Sequence, residues 1–141
     1  MNSESYDEHP AFVEIIKQLC SDECKMLKQL RTDGVMPMIK QRLSLQDKGD
    51  IDIAPYFSDI CYLANCEYPQ KFPEYLDNLH RLGLVVIEYD RHLVNDQYYI
   101  DLLNNPNYIK VVPAKDKKIT EKKSLYKLSD MGKKFCAVCM D

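Results

Sequence analysis

The 141-residue chain has no tryptophan and only four glycines. Its sequence carries no glycine-rich phosphate loop, no H-E-x-x-H and no G-x-S-x-G. Those absences remove the common nucleotide-cradling loop, helix-borne zinc protease chemistry and serine hydrolysis on an α/β sheet. No apolar run approaches the ~20 residues that a membrane-spanning helix needs. The opening residues MNSESYDEHP are polar and acidic, where a secretory signal requires a basic start followed by an apolar core. A cytoplasmic protein is the expectation. There are no internal repeats and no low-complexity tracts.

What is present has the balance of a soluble domain. Hydrophobic residues make up 45% and charged residues 29%, and a chain of this length can bury one real core. The six cysteines, Cys20, Cys24, Cys61, Cys66, Cys136 and Cys139, are read as reduced thiols, because a core of this size needs no stapling and nothing marks export. The net charge of −3 hides an asymmetry. Residues 110 to 134 hold nine lysines against Asp116, Glu121 and Asp130, a local +6, while residues 1 to 109 carry ten basic and eighteen acidic side chains. An acidic protein is a poor generic binder of nucleic acid, so only that basic segment leaves the option open.

Periodicity orders the chain. PAFVEIIKQL starts on a proline and sets Phe12, Ile15, Ile16 and Leu19 on one stripe of a leading helix. Ser21 is placed to cap a second helix, with Asp22 and Glu23 in its first turn and Asp33–Gly34 at its end. VMPMIKQRL alternates like a half-buried strand, and Pro37 argues for an edge position. QDKGDIDIAP reads as a polar loop, and FSDICYLANC as a helix capped by Ser58 with Ile60, Leu63 and Ala64 inward. Pro73 opens a helix bearing Leu76, Leu79 and Leu82, Gly83 ends it, and a strand over 84–89 follows. SLYKLSDMGKKFCAVCM gives a strand over 124–128, a cap at Ser129 and a last helix with Met131, Phe135 and Val138.

The expected fold is therefore α+β: a winged helix-turn-helix-like domain with an extra N-terminal helix. Its wing is decorated by an insertion at about 91–123 that holds a helix, NDQYYIDLLNN, and a possible strand, YIKVV. Residues 1–20 form the leading helix and 21–141 the winged-helix-like domain.

Three phrases carry a family resemblance: HPAFVEIIKQL, CYLANCEYPQKFPEYLDNLHRLGL and YKLSDMGKKFC. Together they resemble the C-terminal part of the Abi-alpha family, bacterial proteins named for abortive infection. The likeness spans most of residues 9 to 139 and is weakest between about Val94 and Lys123. It implies a link to phage defence, and a longer helical region ahead of this segment to which residues 1–20 would form a linker. It carries over no catalytic residue.

The candidate residues fall into four groups. The outward side chains of the Pro73 helix are Glu74, Asp77, Asn78, His80 and Arg81. In a DNA-binding winged helix this element enters the major groove, but two acids beside one arginine oppose a polyanion, which favours a solvated or protein-facing helix. Lys115, Lys117, Lys118, Lys122 and Lys123 could grip phosphates without reading sequence, or form a solvated loop. Tyr98, Tyr99, Leu102 and Leu103 form an aromatic–aliphatic cluster, with two of the four expected to cover the sheet and the others available to a partner. Cys136-x-x-Cys139 has half-zinc-site spacing, which Cys61 with Cys66 could complete, but the helical context favours small apolar side chains. His9, His80 and His92 are scattered, and the acids Asp50 and Asp52 are read as solvated in their loop.

The function expected on this basis is an abortive-infection-type interaction domain mediating protein–protein contact or self-association. Non-specific DNA binding through the lysine-rich wing is the alternative. No enzyme activity, cofactor, metal or membrane contact is expected.

Overall fold

The computed structural model describes residues 10–140; His9 lies outside them. In chain order the described elements are helix α1 (Ala11–Lys17), α2 (Ser21–Asp33), strand β1 (Val35–Ser44), β2 (Asp50–Asp52), α3 (Ile60–Leu63), α4 (Phe72–Arg81), β3 (Val85–Glu88), α5 (Gln97–Leu103), β4 (Lys118–Leu128) and α6 (Asp130–Cys139). Single 3-10 turns lie at Gln46–Lys48 and Pro69–Lys71. Among the described residues this is a mixed α/β protein with six helices and a four-stranded antiparallel sheet ordered β2-β1-β4-β3. The chain divides into two compact units. One takes the residues up to Val35, Ile60–Val86 and the residues from Lys127; the other takes Met36–Asp59 and Ile87–Tyr126.

In the first unit α2 is the central helix, contacting α3, α4 and α6. Met26, Leu27 and Leu30 fall at i, i+1 and i+4 on its inner face and are fully buried, the stripe that a 3.6-residue period produces. α4 contributes Phe72, Leu76 and Leu79. Phe12 of α1 meets Phe135 of α6 edge-on, with ring centroids 5.3 Å apart, an arrangement worth about 1 kcal/mol beyond burial. Gly83 holds φ +78°, the left-handed corner at which α4 turns into β3. Ser129 caps α6: its hydroxyl accepts from the Gly132 N–H at 2.9 Å and donates to the Gly83 carbonyl at 2.6 Å. Gly132 is required by closeness, since a Cβ there would stand 2.0 Å from the Leu84 carbonyl oxygen.

In the second unit β1 and β2 pair antiparallel with Arg42 opposite Asp52, Leu43 opposite Ile51 and Ser44 opposite Asp50. Its core joins Ile39, Tyr99, Leu102 and Tyr108, with Phe57, Leu93 and Leu103 packed against them.

Several sequence expectations are corrected. Cys20, in extended conformation, is the N-cap of α2 rather than Ser21, and Glu23 reaches back to its N–H at 2.9 Å, because extended backbone at Cys20 brings that N–H under the third residue of the helix. β1 is not an edge strand, since β2 flanks it. Pro37 is tolerated because the β2 pairing reaches only residues 42–44. The QDKGDIDIAP stretch is a hairpin, not a loop: Gln46 and Gly49 both take positive φ and let the chain fold back. Ser58 does not cap α3; its hydroxyl bonds that of Tyr126 at 2.6 Å. Leu63, Ile16 and Met131 are exposed, each lying off the buried face of a short helix. YIKVV is not a strand, and β4 begins at Lys118, six residues before the expected start at Ser124.

Gly132→Ala should lower stability by at least about 2 kcal/mol, the scale of overpacking against immovable backbone. Thermal melts of the variant beside Ala137→Gly on the same helix provide the check; a melting point within a degree of wild type for Gly132→Ala would refute the close approach.

Candidate functional site

Within the first unit, α4 is fixed from beneath by two buried acids of the neighbouring helix. Asp22, 4% exposed, accepts the N–H groups of Glu67 at 2.8 Å and Tyr68 at 2.9 Å and the hydroxyl of Tyr75 at 2.9 Å. Lys25 stands 3.9 Å away. Burial by itself would raise the Asp22 carboxyl, but these donors and Lys25 outweigh it and hold the group below its ordinary range. The same burial, with the Asp22 carboxylate, pushes the Tyr75 phenol up. Glu23 accepts from Asn78 at 2.8 Å. Asn78 also donates to the Gln18 carbonyl at 3.1 Å, and its own carbonyl accepts from Arg81 at 2.7 Å. Arg81 spans on to the Gln18 side chain at 3.0 Å.

That network decides what α4 presents. Of the five side chains assigned to its outward face, Glu74, Asp77 and His80 are exposed, Asn78 is half-buried, and Arg81 is exposed but already bonded within the unit. The two groups best suited to reading base edges, Asn78 and Arg81, are committed to the protein, while Glu74 and Asp77 stand open to solvent.

In the second unit the insertion is held by side chains rather than by a strand ladder. The Tyr99 hydroxyl donates to the Ser124 carbonyl at 2.9 Å and accepts from the Leu93 N–H at 2.8 Å. Ser124 donates to the Tyr89 carbonyl at 2.7 Å, so its one hydroxyl proton is used and Tyr56, 3.1 Å away, must be the donor to it. Gln41, 4% exposed, donates to the Ile109 carbonyl at 2.8 Å and accepts from the Val111 N–H at 2.7 Å. Its amide thus stands in for a neighbouring strand and holds the YIKVV segment without its joining the sheet.

The aromatic–aliphatic cluster splits. Tyr99 and Leu102 are buried, Leu103 is half-buried and Tyr98 is 52% exposed. Among the lysines, Lys115, Lys117 and Lys118 are exposed, and β4 carries Lys118, Lys122 and Lys123. Lys122 pairs with Asp90 at 3.3 Å, and Lys123 with Asp96 at 3.4 Å while lying over the Tyr99 ring at 5.6 Å. Asp52 is not simply solvated: it takes Lys40 at 3.1 Å and Arg42 at 2.9 Å, and the Lys40 bond first, then Arg42, holds its carboxyl low. His92 lies edge-on to Tyr99, and His80 is exposed on α4.

None of the six cysteines is in a disulfide. Cys136 is fully buried as an apolar side chain, and burial pushes the Cys61 thiol up, with Cys66 beside it. Among the described residues no three of His, Cys, Asp and Glu gather to hold a metal ion. No described helix is long and apolar enough to cross a membrane. Sequence reasoning missed Val94, Ile109 and Val112, which the insertion leaves 99%, 82% and 89% exposed. Only the polar company of these residues hinted at it.

The sequence pattern of the abortive infection alpha family matches residues 1–139. This chain belongs to that family. The match takes in essentially the whole chain and does not set it apart as a C-terminal region. No curated protein matches. Among solved structures, an uncharacterized protein from the hydrocarbon-degrading marine bacterium Alcanivorax borkumensis SK2 is similar over 100% of both chains, with a TM-score of 0.58 at 12% identity. That similarity concerns the fold alone, and the protein is accordingly an abortive-infection-type chain by family.

Two substitutions test these networks. Asp22→Asn should cost about 3 kcal/mol, since hydrogen bonds to a charged group contribute about 1.5–3 kcal/mol. Because the folded carboxyl sits below the ordinary 3.8, its contribution is complete above that pH and is lost as pH falls through the folded value. Acid titration of stability should therefore be flatter in the variant below pH ~4; parallel acid limbs would contradict the assignment. Gln41→Leu should abolish slow hydrogen exchange at the Val111 amide while leaving that of β4 intact, read by residue-resolved exchange.

Proposed function

We propose that this abortive-infection family protein acts as a winged-helix-like interaction module, without catalysis of its own, that presents the insertion between β3 and β4 to a protein partner or to a second copy of the chain. The observation that carries the reading is the contrast between the two surfaces. α4 has its Arg81 and Asn78 bound internally and exposes Glu74 and Asp77, whereas the insertion exposes Val94, Tyr98, Ile109 and Val112. Large apolar side chains that adjoin one another on a surface mark contact sites, and in this reading these four, all on one insertion, form such a surface.

The winged-helix description is supported by the sheet order, in which β4 returns to lie between β1 and β3, and by the packing of α2 on α3 and α4. α3 is only four residues long, and residues 64–71 separate it from α4, a longer link than the three to four residues of a DNA-binding helix-turn-helix. That departure also favours protein contact.

A second reading rests on Lys115, Lys117 and Lys118, which are exposed and form no ion pair among the described residues. These three could bind phosphates non-specifically, whereas Lys122 and Lys123 are already paired with Asp90 and Asp96.

Sedimentation at micromolar concentration separates the readings. Association of the wild-type chain, abolished by Ile109→Asp with Val112→Asp, is the expected result. A strict monomer, together with no partner recovered by the intact protein, would sink the interaction reading. Anisotropy of a labelled random duplex at low and physiological salt tests the other: salt-sensitive binding lost on Lys115→Glu with Lys117→Glu would favour the phosphate grip.

A further inference from the structure

The first unit contains a hollow that none of the preceding surfaces uses. It has a volume of about 300 Å³ and is lined by Leu30, Arg31, Gly34, Val35, Lys127, Leu128 and Lys133. These residues come from the last turn of α2, the start of β1, the end of β4 and the second turn of α6. Leu30 and Leu128, 0% and 5% exposed, form its floor, and Val35 forms a partly open wall. Gly34 adds no side chain, and a Cβ there would meet nothing within 4 Å. The volume is at the small end of ligand sites, which pair an apolar lining with a few convergent polar groups.

We infer that this hollow binds a small anionic amphiphile: a carboxylate or phosphate head on an aliphatic body. Of the seven lining residues three are cations and none is an acid. Lys127 and Lys133 form no ion pair, and Arg31 donates at 3.5 Å to the Cys136 carbonyl. The acids next in sequence lie outside the lining: Asp33 is held by Gln29 at 2.7 Å, and Asp130 is exposed on the first turn of α6. The ammonium groups of Lys127 and Lys133 beside an apolar floor repel one another, and an anion relieves that repulsion while both lysines bond its oxygens. The lining offers no aromatic face on which a nucleobase or sugar would stack, so the body that fits the leucine and valine surface is aliphatic.

Calorimetric titration of the whole chain with octyl phosphate, octanoate, inorganic phosphate and octanol, all below micelle formation, tests the inference. One of the two charged amphiphiles should bind at least about tenfold more tightly than either inorganic phosphate or octanol. Lys127→Gln with Lys133→Gln should weaken it by about tenfold or more while melting no lower than wild type. Val35→Trp should abolish binding by filling the hollow with its charges intact, and the lysine variant decides the matter if this one fails to fold. A preference for octyl phosphate would point to a phosphorylated lipid or alcohol as the source, and one for octanoate to a fatty acid. Equal binding of inorganic phosphate, equal binding of octanol, wild-type affinity in both variants, or no binding of any probe would overturn the inference.

Discussion

The carboxylate of Asp22 is the constraint on which the first unit depends. A buried charge is stable only when its lone pairs are filled, and Asp22 fills them with backbone from the loop at Glu67 and Tyr68 and with the Tyr75 hydroxyl of α4. One side chain on α2 thereby sets both the path of the chain into α4 and the rotation of that helix. Glu23 adds a second tie through Asn78. Once the inner face of α4 is fixed in this way, its leucines enter the core and its acids face out.

The second unit solves a different problem, how to carry a long insertion without a long ladder. Residues 91 to 117 contain only one helix of seven residues, too short to be stable alone. Its order comes from Tyr99 and Leu102 entering the core and from hydrogen bonds that Tyr99, Ser124 and Gln41 supply to backbone groups. Each such bond spares a backbone group that would otherwise need water. The arrangement leaves every other side of the segment open, so Val94, Ile109 and Val112 have nothing of this unit to cover them.

Charge is distributed to match. The basic run near the C-terminal end of the chain is partly neutralised where it enters β4, through Asp90 and Asp96. Exposed pairs of this kind contribute little to stability, yet they lower the positive field that a polyanion would meet. Cations of that run without such partners among the described residues include Lys115, Lys117 and Lys118, before and at the start of β4, and Lys127 with Lys133 around the hollow of the first unit. Family membership names the biological setting, abortive infection. The chemistry belongs to these surfaces.

Much of the element order was legible in the residues themselves, because the signals are local. Leu76 and Leu79 repeat at helical spacing, Gly83 supplies the only backbone that closes the corner at φ +78°, and Ser129 caps the last helix as its position before Asp130 suggests. The phrases that carry the family were equally legible. Tertiary structure alone decided the rest. Asp22 and Ser21 look alike as N-terminal helix residues, and only contact with residues 45 or more positions away makes one of them a buried hub. Gln41 alternates as any half-buried strand residue does, and nothing local says that its amide will replace a strand. β1 as a whole is not an edge strand, because a hairpin formed from residues that read as loop, but that pairing stops at Arg42 and leaves Pro37 without a β2 partner. The hollow joins the ends of elements nearly a hundred residues apart. A pattern along the chain fixes what a residue can do locally, but partners distant in sequence exist only once the chain has folded.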